Sequence, residues 1–187
     1  MDDVKPALTN LPYIDTGRLL LRKLKHSDAP DIFSYAQLPN VVQYSIGHAH
    51  QSVEESERFI SNVLECYENN TAGLWAIEWK ETERVVGTCG YEYWLYDQYR
   101  AEIGYSLSPE FWNKGIMSEA IKEVVKYGFE DMDLNRIEAI CHCDNVASHR
   151  VLEKNGFINE AFLKQHTHSR GNFFDVFLFS KLRPPEH

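Results

Sequence analysis

The sequence predicts an α/β (α+β) fold, a single mixed sheet with helices on its faces. Three observations lead there. The first part of the chain is rich in β-prone segments interrupted by two helical patterns. The stretch Ala101–Ala120, AEIGYSLSPEFWNKGIMSEA, then runs from an alternating strand through a small-residue loop into an amphipathic helix. The remainder completes a βαβαββ order that needs a sheet covered by helices.

The elements follow in chain order. Arg18–Leu24 (RLLLRKL) reads as a first strand after a turn at Thr16-Gly17. Ser27 can cap a helix to about Gln37, with Asp28 and Asp31 in its first turn and Pro39 as its stop. Ser52-Val53-Glu54-Glu55 is a capping-box pattern that opens a helix to about Asn69. Leu74–Trp79 and Val85–Leu95 flank the polar turn Lys80–Arg84 as a hairpin, and Arg100–Leu107 continues the meander. The helix from Gly115 to about Phe129 gathers Met117, Ile121, Val124, Val125 and Gly128 on one face. Ile137–Cys143 is a strand, and Asn145–Asn155 is a short helix that Gly156 ends in a left-handed cap. Phe157–Gln165 and Asn172–Lys181 close the chain around Ser169-Arg170-Gly171.

The 187 residues suit one domain with a core of about 15–182 and an N-terminal extension, 1–14. A 43% hydrophobic share fits a globular chain, and no apolar run approaches the ~18 residues of a membrane span. Met1-Asp2-Asp3-Val4-Lys5 lacks the regions of a signal peptide. Cys66, Cys89, Cys141 and Cys143 show no disulfide spacing, so a reduced, cytoplasmic setting is expected. The net charge of −9 disfavours nucleic acid and favours a cationic partner such as an amine or basic peptide.

The strand–loop–helix is the main functional signal. Backbone N–H groups of Asn113 to Ser118 converge at a helix N-terminus, Gly115 permits close approach, and Lys114 adds a charge. That combination makes a phosphate or pyrophosphate site.

Together with Asp144-Asn145-Val146-Ala147-Ser148 and Val151-Leu152-Glu153-Lys154-Asn155-Gly156-Phe157, this segment resembles the GCN5-related N-acetyltransferases. It is most similar to the branch that acetylates N-terminal amines of ribosomal proteins, over roughly Asp15 to Leu182. The resemblance implies a mostly antiparallel six- to seven-stranded sheet, about four flanking helices and a splayed central strand. It also implies acetyl-CoA as acetyl donor, with coenzyme A pyrophosphate on Trp112, Asn113, Lys114, Gly115, Ile116, Met117 and Ser118. The family pattern there is Gln or Arg, two residues, Gly, one residue, then Gly or Ala. Trp112-Asn113-Lys114-Gly115-Ile116-Met117 keeps only the first Gly, replaces the cationic or amide contact with Trp112, and puts a bulkier Met117 last. By position, backbone groups of Ser106 and Leu107 would take the pantetheine arm, Asn145 would contact it, and Lys154 would reach the phosphates.

Acetyl transfer to an amine needs a neutral amine, a donor for the oxyanion and a donor for the thiolate. Deprotonation at pH 7 costs about 1.4 kcal/mol for an α-amine of pKa ~8 and ~4.6 kcal/mol for Lys, so an α-amine is the easier acceptor. Glu102 is the candidate base, on the strand face shared with Gly104 and Ser106. Ser148, at i+3 from Asn145, is by resemblance the group beside the thiol, with thiolate stabilisation as its role. Cys141-His142-Cys143 does not make a metal site, because alternation turns His142 away from both cysteines. His166 and His168 read as surface groups or substrate contacts, and Asp175 has no assigned task. Tyr91, Tyr93, Trp94 and Tyr96 pack the sheet or line the acceptor groove, which the family builds from Ile14–His50 and the last two strands. The acceptor is a protein N-terminus or a small amine such as a polyamine, aminoglycoside or amino acid. A non-catalytic acyl-CoA sensor and a cofactor-free oligomeric scaffold are the other readings, and a homodimer is left open.

Overall fold

The computed structural model describes Leu8–Pro185. The leader-peptide reading of Met1–Lys5 and the first half of the 1–14 extension lie outside those residues. One eight-stranded sheet runs in the order β1-β2-β3-β4-β5-β6-β8-β7. Its strands are β1 (Ile14–Asp15), β2 (Leu19–Lys23), β3 (Gly73–Trp79), β4 (Arg84–Leu95), β5 (Arg100–Leu107), β6 (Arg136–His142), β7 (Ile158–Ser169) and β8 (Asn172–Leu182). Every neighbouring pair is antiparallel except β5 with β6. The helices are α1 (Ala29–Ala36), α2 (Pro39–Val42), α3 (Val53–Glu68), α4 (Ile116–Glu130) and α5 (Val146–Lys154). The mixed, mostly antiparallel sheet matches the expected class. The strand beyond the expected six or seven is β1, whose two residues are too few to leave a periodic signal.

Two local expectations change. Pro39 does not merely stop a helix; it starts α2. Proline fixes φ and lacks an N–H, so it suits a first turn, while it holds Leu38 before it in extended geometry. Asp28 lies not in the first turn of α1 but just before it. A 3₁₀ turn over His26–Asp28 precedes α1 and turns this carboxylate inward onto Arg22. The Arg22 guanidinium makes a two-pronged pair to Asp28 at 2.8 and 2.9 Å and reaches Glu78 at 2.6 Å. Both members of the Arg22–Asp28 pair are nearly inaccessible, and Asp28 also accepts the Lys25 N–H at 2.9 Å.

The core lies on both sides of the central strands. Trp75 and Tyr91 are fully buried, and Trp75 meets the rings of Tyr91 and Tyr127 edge-on. The Tyr91 hydroxyl donates to the Val124 carbonyl of α4 at 2.7 Å, fixing helix to sheet. Gly128, one turn further along α4, lets that ring in: a Cβ there would stand 2.1 Å from the hydroxyl. Alanine favours a helix over glycine by about 1 kcal/mol, but the clash outweighs that preference. Gly128→Ala is therefore expected to destabilise by about 1–3 kcal/mol, a fall of several degrees in a thermal melt. An unchanged or higher midpoint would show that the ring yields.

Candidate active site

β5 and β6 pair over only three positions, Arg100–Glu102 against Arg136–Glu138. Beyond them β5 stays on β4 as far as Leu107, and β6 stays on β8 as far as His142. The two strands therefore separate, leaving a wedge whose walls carry unpaired peptide groups. The Ser108 N–H donates to Val86 at 2.7 Å, and alternation from there turns the peptide groups of Ser106 toward β4. Those of Leu107 and Tyr105 face the wedge. The Leu107 carbonyl takes the Trp112 indole N–H at 2.8 Å, so the expected ligand contact at Trp112 is spent on holding the loop to the strand end.

The loop after β5 winds through a 3₁₀ turn, Pro109–Phe111, and enters α4 through Gly115. Asn113 and Gly115 both adopt left-handed backbone, φ 59° and 74°, which turns successive N–H groups into one concavity. Gly115 has open space where a Cβ would be, its nearest neighbour an Arg18 nitrogen at 3.8 Å. Among the described residues no turn, loop or cap hydrogen bond uses the N–H groups of Asn113 to Ser118. Ile116 and Met117 bury their side chains in the core, so they can offer a ligand only backbone. Free donors, a helix N-terminus and a cleared approach fit a pyrophosphate. Lys114 lies over the Phe111 ring at 5.4 Å. Lys154 stands exposed on the last turn of α5, six residues past Ser148.

Sequence reasoning missed Arg18. Its guanidinium donates to the Lys114 carbonyl at 3.0 Å and pairs with Glu119 at 2.7 Å. Glu119 also accepts from Thr16 at 2.5 Å, so the first turn of α4 is tied to the β1–β2 turn. These partners are about a hundred residues apart in sequence, and nothing local points to them.

On the other side of the wedge opens a cavity of about 720 Å³. Its walls are α1, the segment following α2 and the β7–β8 hairpin, which lie in the stretches expected to form the acceptor groove, together with β5 and β6. The Asn113–Ser118 loop does not line it. The hairpin turn clamps the opposite wall: Arg170 Nη2 donates to the carbonyls of Val42, Gln43 and Ser45, each at 3.0 Å, and Ser169 Oγ donates to Ile46 at 2.7 Å. His166 and His168 are exposed, as expected, and they also line the cavity. Asp175 gains a task, accepting the Gln165 N–H at 2.7 Å where β7 slips its register. His142 stacks between Tyr44 and Phe174 at 5.0 and 5.2 Å. Among the described residues no cluster of His, Cys, Asp and Glu could hold a metal ion.

Glu102 lines this cavity, only 9% exposed. Burial, reinforced by Glu92 and Glu138 and opposed by the Tyr93 hydroxyl and Arg100, pushes its carboxyl up to about 7. Ser148, on the first turn of α5, meets Tyr105 Oη at 2.5 Å. Burial pushes the Tyr105 phenol well above its ordinary range, so it stays protonated. Tyr105 escaped the sequence reading, although alternation puts it on the face opposite Glu102. Asn145 caps α5, its Oδ1 accepting the Ser148 N–H at 3.2 Å, and it too lines the cavity. Thus Glu102, Ser106, Asn145 and Ser148 converge on one space, while Asn113–Ser118 sits beyond the end of β5.

Comparison with known proteins points the same way. The acetyltransferase (GNAT) domain model matches residues 18–158. N-acetyltransferase YoaA of Bacillus subtilis (strain 168), itself uncharacterised, is 35% identical over 175 residues, 94% of this chain and 99% of its own length. The ribosomal-protein-serine acetyltransferase of Escherichia coli (strain K12) is 28% identical over 132 residues, 71% of this chain and 73% of its own. The solved structure of RimL, a ribosomal L7/L12 alpha-N-protein acetyltransferase in complex with coenzyme A, superposes with a TM-score of 0.83 at 23% identity. That match covers 91% of this chain and 98% of RimL and shows a shared fold.

Proposed function

Because this chain belongs to the GNAT family and is an N-acetyltransferase, we propose that it acetylates the N-terminal α-amine of a protein by direct attack in a ternary complex. The observation that carries this reading is the wedge between β5 and β6, with free backbone donors at one end and an acidic, aromatic cavity at the other. Acetyl-CoA, the donor, supplies an activated acyl carbon as a thioester. Asn113–Ser118 would hold its pyrophosphate with backbone N–H groups, and the wedge-facing peptides of Tyr105 and Leu107 would hold its arm.

Glu102 would then take a proton from the incoming ammonium, and its upward shift to about 7 suits it to do so near neutrality. An α-amine of pKa ~8 lies within about 1.4 kcal/mol of that base at pH 7, whereas a lysine lies several kcal/mol away. A wedge-facing N–H near Leu107 would meet the developing oxyanion. The Ser148 hydroxyl, oriented by Tyr105, would donate to the departing thiolate. The naming of the E. coli relative for ribosomal-protein serine supports a protein N-terminus as the acceptor.

Mass spectrometry of candidate ribosomal proteins and small amines, incubated side by side with acetyl-CoA and enzyme, tests this. The reading expects the acetyl group on an N-terminal residue. Acetylation confined to small amines would overturn the acceptor, and binding without thiol release would overturn the reaction. Ser148→Ala is expected to lower kcat by about tenfold and leave KM for acetyl-CoA little changed. A rate within twofold of the parent would assign the thiolate to another donor.

A further inference from the structure

β4 leaves its regular pairing at one point. Between Tyr91 and Tyr93 the register to β5 slips, and Glu92 is the residue left without a partner. Such a bulge re-aims a side chain, and here the side chain is a carboxylate. Gly104 on β5 makes the room for it: a Cβ at that position would stand 1.9 Å from Glu92 Oε1 and 2.4 Å from its Cδ. Gly104 lies two residues beyond Glu102 on the same strand face, and all three line the large cavity.

Nothing positive answers Glu92. Among the described residues it has neither a hydrogen bond nor an ion pair, and the charged group it acts on is another acid, Glu102. Arg100, the cation that acts on Glu102, is 3.4 Å from Glu138 and pairs with it. Partial enclosure by the cavity walls raises the Glu92 carboxyl above its ordinary range, even though its surface remains open to the cavity. A carboxylate held in a concave wall beside a second carboxylate is stabilised by an arriving cation.

We propose that Glu92 is the acceptor-capture residue, its carboxylate holding the acceptor's ammonium group at the β4 bulge beside Glu102. This rests on the N-acetyltransferase reading above and adds a division of labour to it. Glu92 binds the ammonium group; Glu102 receives the proton from its nitrogen, leaving the neutral amine free to attack. Gly104 is the positioning residue that keeps the capture site open.

Two variants test this. Glu92→Gln removes the charge, and Gly104→Ala keeps the charge but fills its place. The nearest atoms to the new methyl, Oε1, Cδ and Cγ, all belong to the Glu92 side chain and none to backbone, so the fold is expected to survive, as a thermal melt will show. The readout is calorimetric binding of a tripeptide with a free N-terminus against its N-acetylated twin. The parent is expected to prefer the free amine by about tenfold, and each variant to lose most of that preference. In turnover, KM for the amine is expected to rise about tenfold in both, with kcat and KM for acetyl-CoA nearly unchanged. Undiminished preference in Glu92→Gln, or no preference in the parent, overturns the proposal. A preference that depends on Glu92 without acetyl transfer to any amine would uphold capture and remove the transferase reading instead.

Discussion

Replacing Glu102 with Gln is expected to cost activity and add stability in the same protein. The activity loss should be about 10²–10⁴-fold, the usual contribution of a positioned base. With the parent enzyme, kcat/KM should rise through pH 7 as this carboxyl ionises, and the variant should lose that inflection. The stability gain follows from linkage. The folded-state value, about 7, lies above the ordinary 4.5, so the folded protein holds this proton more tightly than the unfolded chain does. The resulting stabilisation is fully present below about pH 4.5 and is lost as the pH rises through about 7. At pH 8 the parent therefore carries a buried carboxylate whose ionisation opposes folding by on the order of 2–3 kcal/mol. Glutamine never ionises, so the variant should melt several degrees higher at pH 8 and show little gain at pH 4. Retained activity together with an unchanged pH inflection would remove Glu102 from the reaction.

Asp28→Ala is expected to be the most destabilising of the single changes considered. It strips the two-pronged partner from a guanidinium that is almost wholly inside the protein and leaves the Lys25 N–H without its acceptor. Breaking a buried ion pair from one side costs about 3–5 kcal/mol. Glu78, at 2.6 Å, still answers Arg22, which places the expected loss near 3 kcal/mol. That is a large share of the roughly 5–15 kcal/mol by which domains are stable. The midpoint should fall by about 10 °C. Removing all three charges together, as Arg22→Met with Asp28→Leu and Glu78→Gln, should cost less than the single change, because no uncompensated ion remains. Denaturant unfolding of the parent and both variants decides it, and a loss under about 1 kcal/mol for Asp28→Ala would show that water reaches Arg22. Since α1 forms a wall of the cavity through Ile32 and Tyr35, the same change should also weaken acceptor binding.

The parts of the site legible in the sequence are those written locally. Strand, loop and helix N-terminus between Ala101 and Ala120 are set by alternation, small residues and helical periodicity within twenty positions. Asn145 and Ser148 are set by their spacing at the start of one helix. What escaped depends on partners far apart in the chain. Arg18 meets Lys114 and Glu119, Tyr105 meets Ser148, and Arg170 meets Val42 to Ser45. Asp28 looked like a capping-region acid because the local pattern holds no trace of Arg22 turning beneath it. Glu92 was passed over because a slip of one residue in strand pairing cannot be read from alternation alone.

The four hydrogen bonds from Ser169 and Arg170 have one more consequence. They make a crossbar along the cavity, joining stretches that stand some 125 positions apart. With that tie holding the wall in place, the proposed acceptor site would admit a loose, narrow chain end more readily than a broad, folded surface.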